Sequence, residues 1–170
     1  KNIKKINLKE LAKIIFQFEL MRKQFYIGSL DTKFLKNLYS TFVSFLPRKK
    51  INYKLIKKTD KRGHFLEFLK TKNSGQFSIF VAKKNKIRGH HFHHSKVEKF
   101  LVLKGRAEFI MNDISSGHKM KFIMNAKKPS VVETIPGYQH YIKNLGKDDL
   151  IVLLWSNEIF DVNNPDTFRL

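Results

Sequence analysis

The chain has 170 residues, 42% of them hydrophobic, and carries a net charge of +20 with no cysteine. That composition excludes a disordered chain, a disulfide framework and a thiolate metal site, and no apolar run is long enough to cross a bilayer. The charge invites a nucleic-acid reading, but it is dispersed: residues 1–100 hold 25 Lys and Arg against 6 Asp and Glu, residues 101–170 hold 9 against 8, and no basic tail or recognition motif is visible, so nucleic acid is not expected as a partner.

The chain opens on Lys1 rather than Met, which predicts a piece of a longer protein. Without a signal peptide or cysteine, it fits the cytoplasm. Residues 7–24 have helical spacing, with Leu8, Leu11, Ile15 and Phe18 on one face and Asn7 and Glu10 at capping-box positions. Residues 31–46 repeat the pattern: Asp31 is the expected N-cap, Leu35, Leu38, Phe42 and Phe45 form the stripe, and Pro47 ends it. Both stripes are expected to pack against a partner domain.

From about residue 51 the pattern changes to short β-type runs. Strands are predicted at 51–56, 64–69, 76–81, 99–103, 106–111, 120–124, 131–135 and 150–155, separated by turns such as Asn73-Ser74-Gly75 and Lys104-Gly105. Many short strands at regular spacing predict a sandwich or barrel. The expected organisation is a helical unit over 1–47 and a mainly β domain over 48–170.

Four of the seven histidines lie between positions 90 and 94. Only His91 and His93 have the i, i+2 spacing that turns two side chains to one face of a strand. Glu98 follows after four residues and Gly105 after six more. A surface histidine tract has no reason to carry a glutamate at fixed spacing or a matching histidine elsewhere. Here Pro136-Gly137-Tyr138-Gln139-His140 followed by Asn144 supplies the second half of the pattern. The two halves resemble the paired motifs of the cupin fold, although Ile135 and Pro129 stand where that pattern has Pro and Gly. Three imidazoles and one carboxylate suit Zn, Fe, Mn or Ni with positions left open for substrate. The candidate metal ligands are therefore His91, His93, Glu98 and His140. His90 and His94 are expected to point away, His64 and His118 to face solvent, and Asn144 to be a structural turn residue.

The stretch from Leu35 to the C-terminus also resembles the C-terminal part of CapF-type enzymes of capsular-polysaccharide and O-antigen biosynthesis. The likeness rests on residues 36–47 (KNLYSTFVSFLP), on Arg62-Gly63 followed by 65–68 (FLEF), on 75–78 (GQFS), on 89–102 (GHHFHHSKVEKFLV), on 154–161 (LWSNEIFD) and on 164–167 (NPDT). This resemblance implies a cupin (a double-stranded β-helix, or jelly-roll barrel) preceded by the last two helices of a truncated reductase domain. It implies a bifunctional whole: a short-chain dehydrogenase half reducing a 4-keto sugar nucleotide with NADPH, and a zinc cupin half epimerising the sugar at C3. NADPH would concern only the missing half, because the glycine-rich nucleotide fingerprint is not in this chain. The implied substrate is a UDP-4-keto-6-deoxy-N-acetylhexosamine on the route to an N-acetyl-L-fucosamine-type sugar, and the implied assembly is a homodimer. Tyr138, two residues before His140, is the candidate acid/base, and Gln76 and Ser78, alternating on one strand face, are candidate substrate contacts. An iron-dependent dioxygenase-like cupin, and a non-catalytic module for nucleotide-sugar binding or dimerisation, stay open at this point.

Overall fold

The structure is a computed structural model and describes residues 5–170; the first four residues of the expected 1–47 unit lie outside the described residues. The chain runs α1 (Leu8–Lys23), β1 (Tyr26–Ile27), α2 (Lys33–Ser44), α3 (Arg48–Ile51), β2 (Lys57–Asp60), β3 (Gly63–Thr71), β4 (Gly75–Ala82) and β5 (Ile87–His91). It continues through β6 (Glu98–Lys104), β7 (Arg106–Asp113), β8 (Lys119–Asn125), β9 (Val131–Glu133), β10 (Tyr138–Asn144) and β11 (Leu150–Ser156). This is the mainly β cupin architecture that the sequence predicts.

The strands form two sheets. A seven-stranded sheet has the order β1-β3-β4-β11-β6-β9, with β2 paired to β3, and a four-stranded sheet has the order β5-β10-β7-β8. All pairs are antiparallel except β1 with β3. Alternation sends one face of each strand inward. Phe80 and Ala82 of β4, Phe100 and Val102 of β6, Phe109 and Met111 of β7, Ile142 of β10 and Val152 of β11 meet in a single buried core.

The capping box of α1 forms as the spacing implies: the Asn7 side chain accepts from the Glu10 N–H at 2.8 Å. On α2 the cap moves one residue. Thr32, extended at φ −99°, accepts from the Leu35 N–H at 3.2 Å, while Asp31 is engaged by the Ser29 hydroxyl. The two helical stripes meet each other in part, with Phe18 packed on Tyr39 and Phe42 at centroid distances of 5.1 and 5.7 Å. Leu8, Phe16 and Phe45 stay exposed.

The strand expected over 51–56 does not form. Pro47 starts the short helix α3, closed by Lys50 N–H donating to the Pro47 carbonyl, and the first β pairing of this region begins at Lys57. Two strands absent from the list of predicted runs, β5 and β10, carry three of the four candidate ligands or their immediate flanks. His64 lies within β3 and is half-buried rather than solvent-facing, whereas His118 is exposed as expected.

Candidate metal centre

The inward faces change character along the strands. On β4 they read Gln76, Ser78, Phe80, Ala82; on β6, Glu98, Phe100, Val102; on β10, His140, Ile142, Asn144. One end of the barrel is therefore apolar apart from Asn144, and the other is lined by ligand-type and hydrogen-bonding groups. Register places His140 directly opposite His91 on β5. His91 closes that strand, and His93 follows just beyond it, after Phe92 forms a single antiparallel bridge with Phe168. One regular strand thus does not present both imidazoles; a strand end and the loop after it do.

The donor atoms of His91, His93, Glu98 and His140 all lie within 4.8 Å of one another. His93, Glu98 and His140 are buried, and His91 is half-buried. The Glu98 carboxylate (Oε2) stands 3.3 Å from His93 Nε2 and 3.1 Å from His140 Nε2. The other ring nitrogens fix the tautomers. His93 Nδ1 meets the Asp166 carbonyl and His140 Nδ1 meets the Tyr138 carbonyl at 3.3 Å. A carbonyl can only accept, so each Nδ1 carries a proton, and in the neutral ring each Nε2 turns a lone pair toward a carboxylate. Acceptors facing acceptors in a buried site are unfavourable unless a cation lies among them. The residues therefore fit a divalent metal, and the backbone carbonyls behind the rings play the orienting part that such sites require.

Electrostatics agree. Burial, reinforced by the neighbouring His140, pushes the His91 imidazole down to about 4, so at neutral pH its lone pair is free for a metal. The backbone of Glu98 is fixed by Thr134, whose hydroxyl accepts from the Glu98 N–H at 2.8 Å.

The C-terminal segment straps this centre. The Asp166 carboxylate accepts from the backbone N–H groups of His94, Ser95 and Lys96 at 2.8, 2.8 and 2.7 Å, and from the Ser95 hydroxyl at 3.0 Å. Burial opposes the charge, but those donors hold the Asp166 carboxyl well below its ordinary value. Asn157 pairs with Val97 through both its side chain and its backbone. The segments 154–161 and 164–167 thus act by holding the His93 loop in place.

Two adjoining cavities, of about 220 and 300 Å³, share Phe65, His91, Glu98 and Leu154. Gln76 and Ser78 line the larger one beside His93 and Lys96; Gln76 Nε2 donates to the Ser78 hydroxyl at 3.0 Å and its Oε1 accepts from the Phe160 N–H at 3.3 Å. Tyr138 shares the inward face with His140 but lines neither cavity. It sits opposite Asp113 in the strand register, and burial together with that carboxylate raises its phenol above the ordinary value. His90 stacks on Tyr141 at 4.3 Å and His94 packs at a tilt against Phe168 at 4.6 Å, so both point away from the donors as expected. Asn144 is fully buried and structural: its side chain donates to the Ala82 and Asp148 carbonyls and accepts from the Gly146 N–H.

Sequence reasoning missed Lys96, Asp166 and Arg88. An Asp after Asn-Pro is a turn signal without an address, so nothing local tied Asp166 to His94 and Ser95, 72 and 71 residues away. Arg88 immediately precedes Gly89, the sequence's only hint of a bulge there; in the structure Gly89 and His90 have positive φ values of 102° and 63°.

Residues 58–168 match the polysaccharide biosynthesis C-terminal domain. The chain is 45% identical over 163 residues to a UDP-2-acetamido-2,6-beta-L-arabino-hexul-4-ose reductase of Pseudomonas aeruginosa, covering 96% of this chain and 44% of that protein. It superposes on crystal structures of the capsular polysaccharide assembling protein CapF of Staphylococcus aureus with a TM-score of 0.95 at 37% identity, over 99% of this chain and 46% of that one. A Bacillus subtilis oxalate decarboxylase variant matches at 21% identity and a TM-score of 0.57, covering 69% of this chain and 30% of that one, which shows the shared fold alone. The chain spans less than half the length of the CapF-like relatives it matches. Among the described residues no helix is long and apolar enough to cross a membrane. The chain belongs to the polysaccharide biosynthesis C-terminal domain family, as a CapF-type cupin domain.

Proposed function

We propose that this chain epimerises C3 of a UDP-4-keto-6-deoxy-N-acetylhexosamine during synthesis of an N-acetyl-L-fucosamine-type capsule or O-antigen sugar. The observation that carries the reading is the meeting of His91, His93, Glu98 and His140 at the junction of two cavities, in a chain 45% identical to a protein named for a 2-acetamido-hexul-4-ose. A ketone at C4 acidifies the proton on C3. Removing that proton and returning one to the opposite face inverts C3 with no net change in oxidation state. A divalent metal, zinc in this reading, held by the four donors would supply Lewis-acid polarisation of the C4 carbonyl.

The chain's own groups do the rest. Gln76 and Ser78 would hydrogen-bond the sugar, and Phe65 and Leu154 exclude water where the cavities join. Lys96 is buried in the larger cavity, with Nζ 3.2 Å from the Thr167 hydroxyl and 3.3 Å from the Glu158 carboxylate. We assign to Lys96, as its neutral amine, the removal of the C3 proton; water in the cavity returns a proton to the opposite face, and the ammonium so formed gives its proton back to solvent. Tyr138 lies behind His140 and is turned to Asp113, so it acts on the substrate only indirectly in this reading. NADPH-dependent reduction at C4 belongs to the remainder of a longer protein, with α1 and α2 closing that domain.

The test is proton exchange. The UDP-4-keto-6-deoxy sugar in deuterated water, followed by NMR, should take up deuterium at C3 with the zinc-loaded chain. His91→Ala should abolish uptake, Lys96→Met should slow it at least about a hundred-fold, and Tyr138→Phe should leave it nearly unchanged. No uptake by the zinc-loaded chain would overturn the proposal.

A further inference from the structure

The smaller cavity holds a charge pattern that the metal centre does not use. Three arginines, Arg62, Arg88 and Arg169, line it together with His91, and Glu98 is the one carboxylate among its lining residues. Arg88 reaches this position through an irregularity. In a regular strand Arg88 and His91, three residues apart, would face opposite sides of the sheet. Between them β5 carries one extra residue: Tyr141 pairs with Gly89 and His140 with His91, so His90 has no partner on β10. Gly89 is required there, because a Cβ would lie 2.7 Å from the His140 carbonyl oxygen. The bulge throws His90 outward onto Tyr141 and brings Arg88 and His91 to the same inward face, opposite Ile142 and His140.

The Arg88 guanidinium is then held over the Phe80 ring at 5.4 Å, its side chain only 14% exposed. Its Nη1 is buried and has no hydrogen-bond partner among the described residues. The carboxylate beside it, Asp60, is 3.7 Å away and committed elsewhere: Arg62 donates to it from Nε at 3.0 Å, Nη2 at 2.5 Å and its backbone N–H at 2.8 Å. A buried, charged donor without an acceptor is costly, and an anion entering the cavity removes that cost. Guanidinium forks match phosphoryl oxygens in geometry as well as charge. The enclosing rings of Phe80, Phe100 and Phe109 admit a small ligand and no nucleic-acid helix.

We propose that Arg62, Arg88 and Arg169 form a diphosphate subsite, which binds the pyrophosphoryl group of a nucleoside-diphosphate sugar and directs its hexose toward His91, Glu98 and the Gln76–Ser78 end. This assignment rests on the reading of the chain as an enzyme of nucleotide-linked sugars. It gives the two cavities distinct duties, anchoring in one and sugar recognition in the other, with the metal donors between them.

Calorimetry on the zinc-loaded chain with UDP and with uridine tests it. UDP should bind at least about ten-fold more tightly than uridine, and Arg88→Gln and Arg169→Gln should each weaken UDP about ten-fold or more while leaving uridine unchanged. Arg169 is exposed, so its variant keeps the test valid if Arg88→Gln misfolds. Equal UDP affinity in parent and variants, as when the diphosphate docks on the zinc instead, would overturn the subsite. Deuterium uptake at C3 separates the two readings. Uptake with a KM unmoved by Arg169→Gln removes the subsite and keeps the epimerase; arginine-dependent UDP binding without uptake does the reverse.

Discussion

Two ring protons decide what the four donors can do. With Nδ1 of His93 and His140 committed to the Asp166 and Tyr138 carbonyls, both Nε2 atoms are left facing Glu98. Replacing Glu98 by Gln removes the only anion of the set, and zinc content by elemental analysis should fall well below one equivalent; retention of a full equivalent would count against the donor assignment. Asp166 acts one step further out. Asp166→Asn keeps the shape of the clip but not its charge, and should weaken zinc binding about 10–100-fold in competition with a chromogenic chelator, the usual range for losing an outer partner of a ligand. Unchanged affinity would mean that the strap is packing only. Asp60 offers a pH test. Its carboxyl is lowered to about 2 from 3.8, first by the Arg62 side chain and then by the Arg62 backbone N–H. A lowered folded value means that its contribution to stability is complete above pH 3.8 and is lost as pH falls toward 2. A carboxyl-carbon NMR titration should therefore show Asp60 still ionised at pH 3.

At the level of elements, the inward stripes explain both what sequence reading found and what it missed. Strands β4, β6, β7 and β11 carry apolar residues at alternate positions and were legible from that period. β5 and β10 read Ile-Arg-Gly-His-His and Tyr-Gln-His-Tyr-Ile-Lys-Asn. Their inward positions hold arginine, histidine and asparagine, so the hydrophobic period fails where the chain builds its site. The bulge in β5 breaks the period once more. Gly89→Ala adds a Cβ against the His140 carbonyl at a φ of 102°, and should shift β5 against β10 and cost both zinc and stability. A variant with parental melting temperature and zinc content would contradict the role given to the bulge. Asn144 ties β10 to the β4 end and to the 145–149 turn through one buried and two part-buried hydrogen bonds. Asn144→Ala leaves those backbone groups unpaired, and urea unfolding should register a loss of about 2–3 kcal/mol.

For the whole molecule, the β-rich architecture and the convergence of His91, His93, Glu98 and His140 were legible because motif spacing survives translation into structure: Glu98 opens β6, and His140 lands opposite His91. The arginine cavity and the Asp166 strap were not, because both join residues far apart in sequence whose types carry no local signal. Leu8 and Phe45 of the helical stripes remain exposed, as does Phe16. The edge strand β8 leaves Phe122 and Ile123 partly exposed, at 38% and 48%. If the cupin pairs through this edge, sedimentation should give twice the mass of 20.1 kDa, and Ile123→Lys should return it to the single value. In the proposed reaction one metal on four donors enables proton exchange at C3. Zinc titrated into the metal-stripped chain, with deuterium uptake at C3 followed by NMR, should raise the rate linearly and saturate at one equivalent per chain. A rate indifferent to zinc, or no uptake at any ratio, would rule that reaction out.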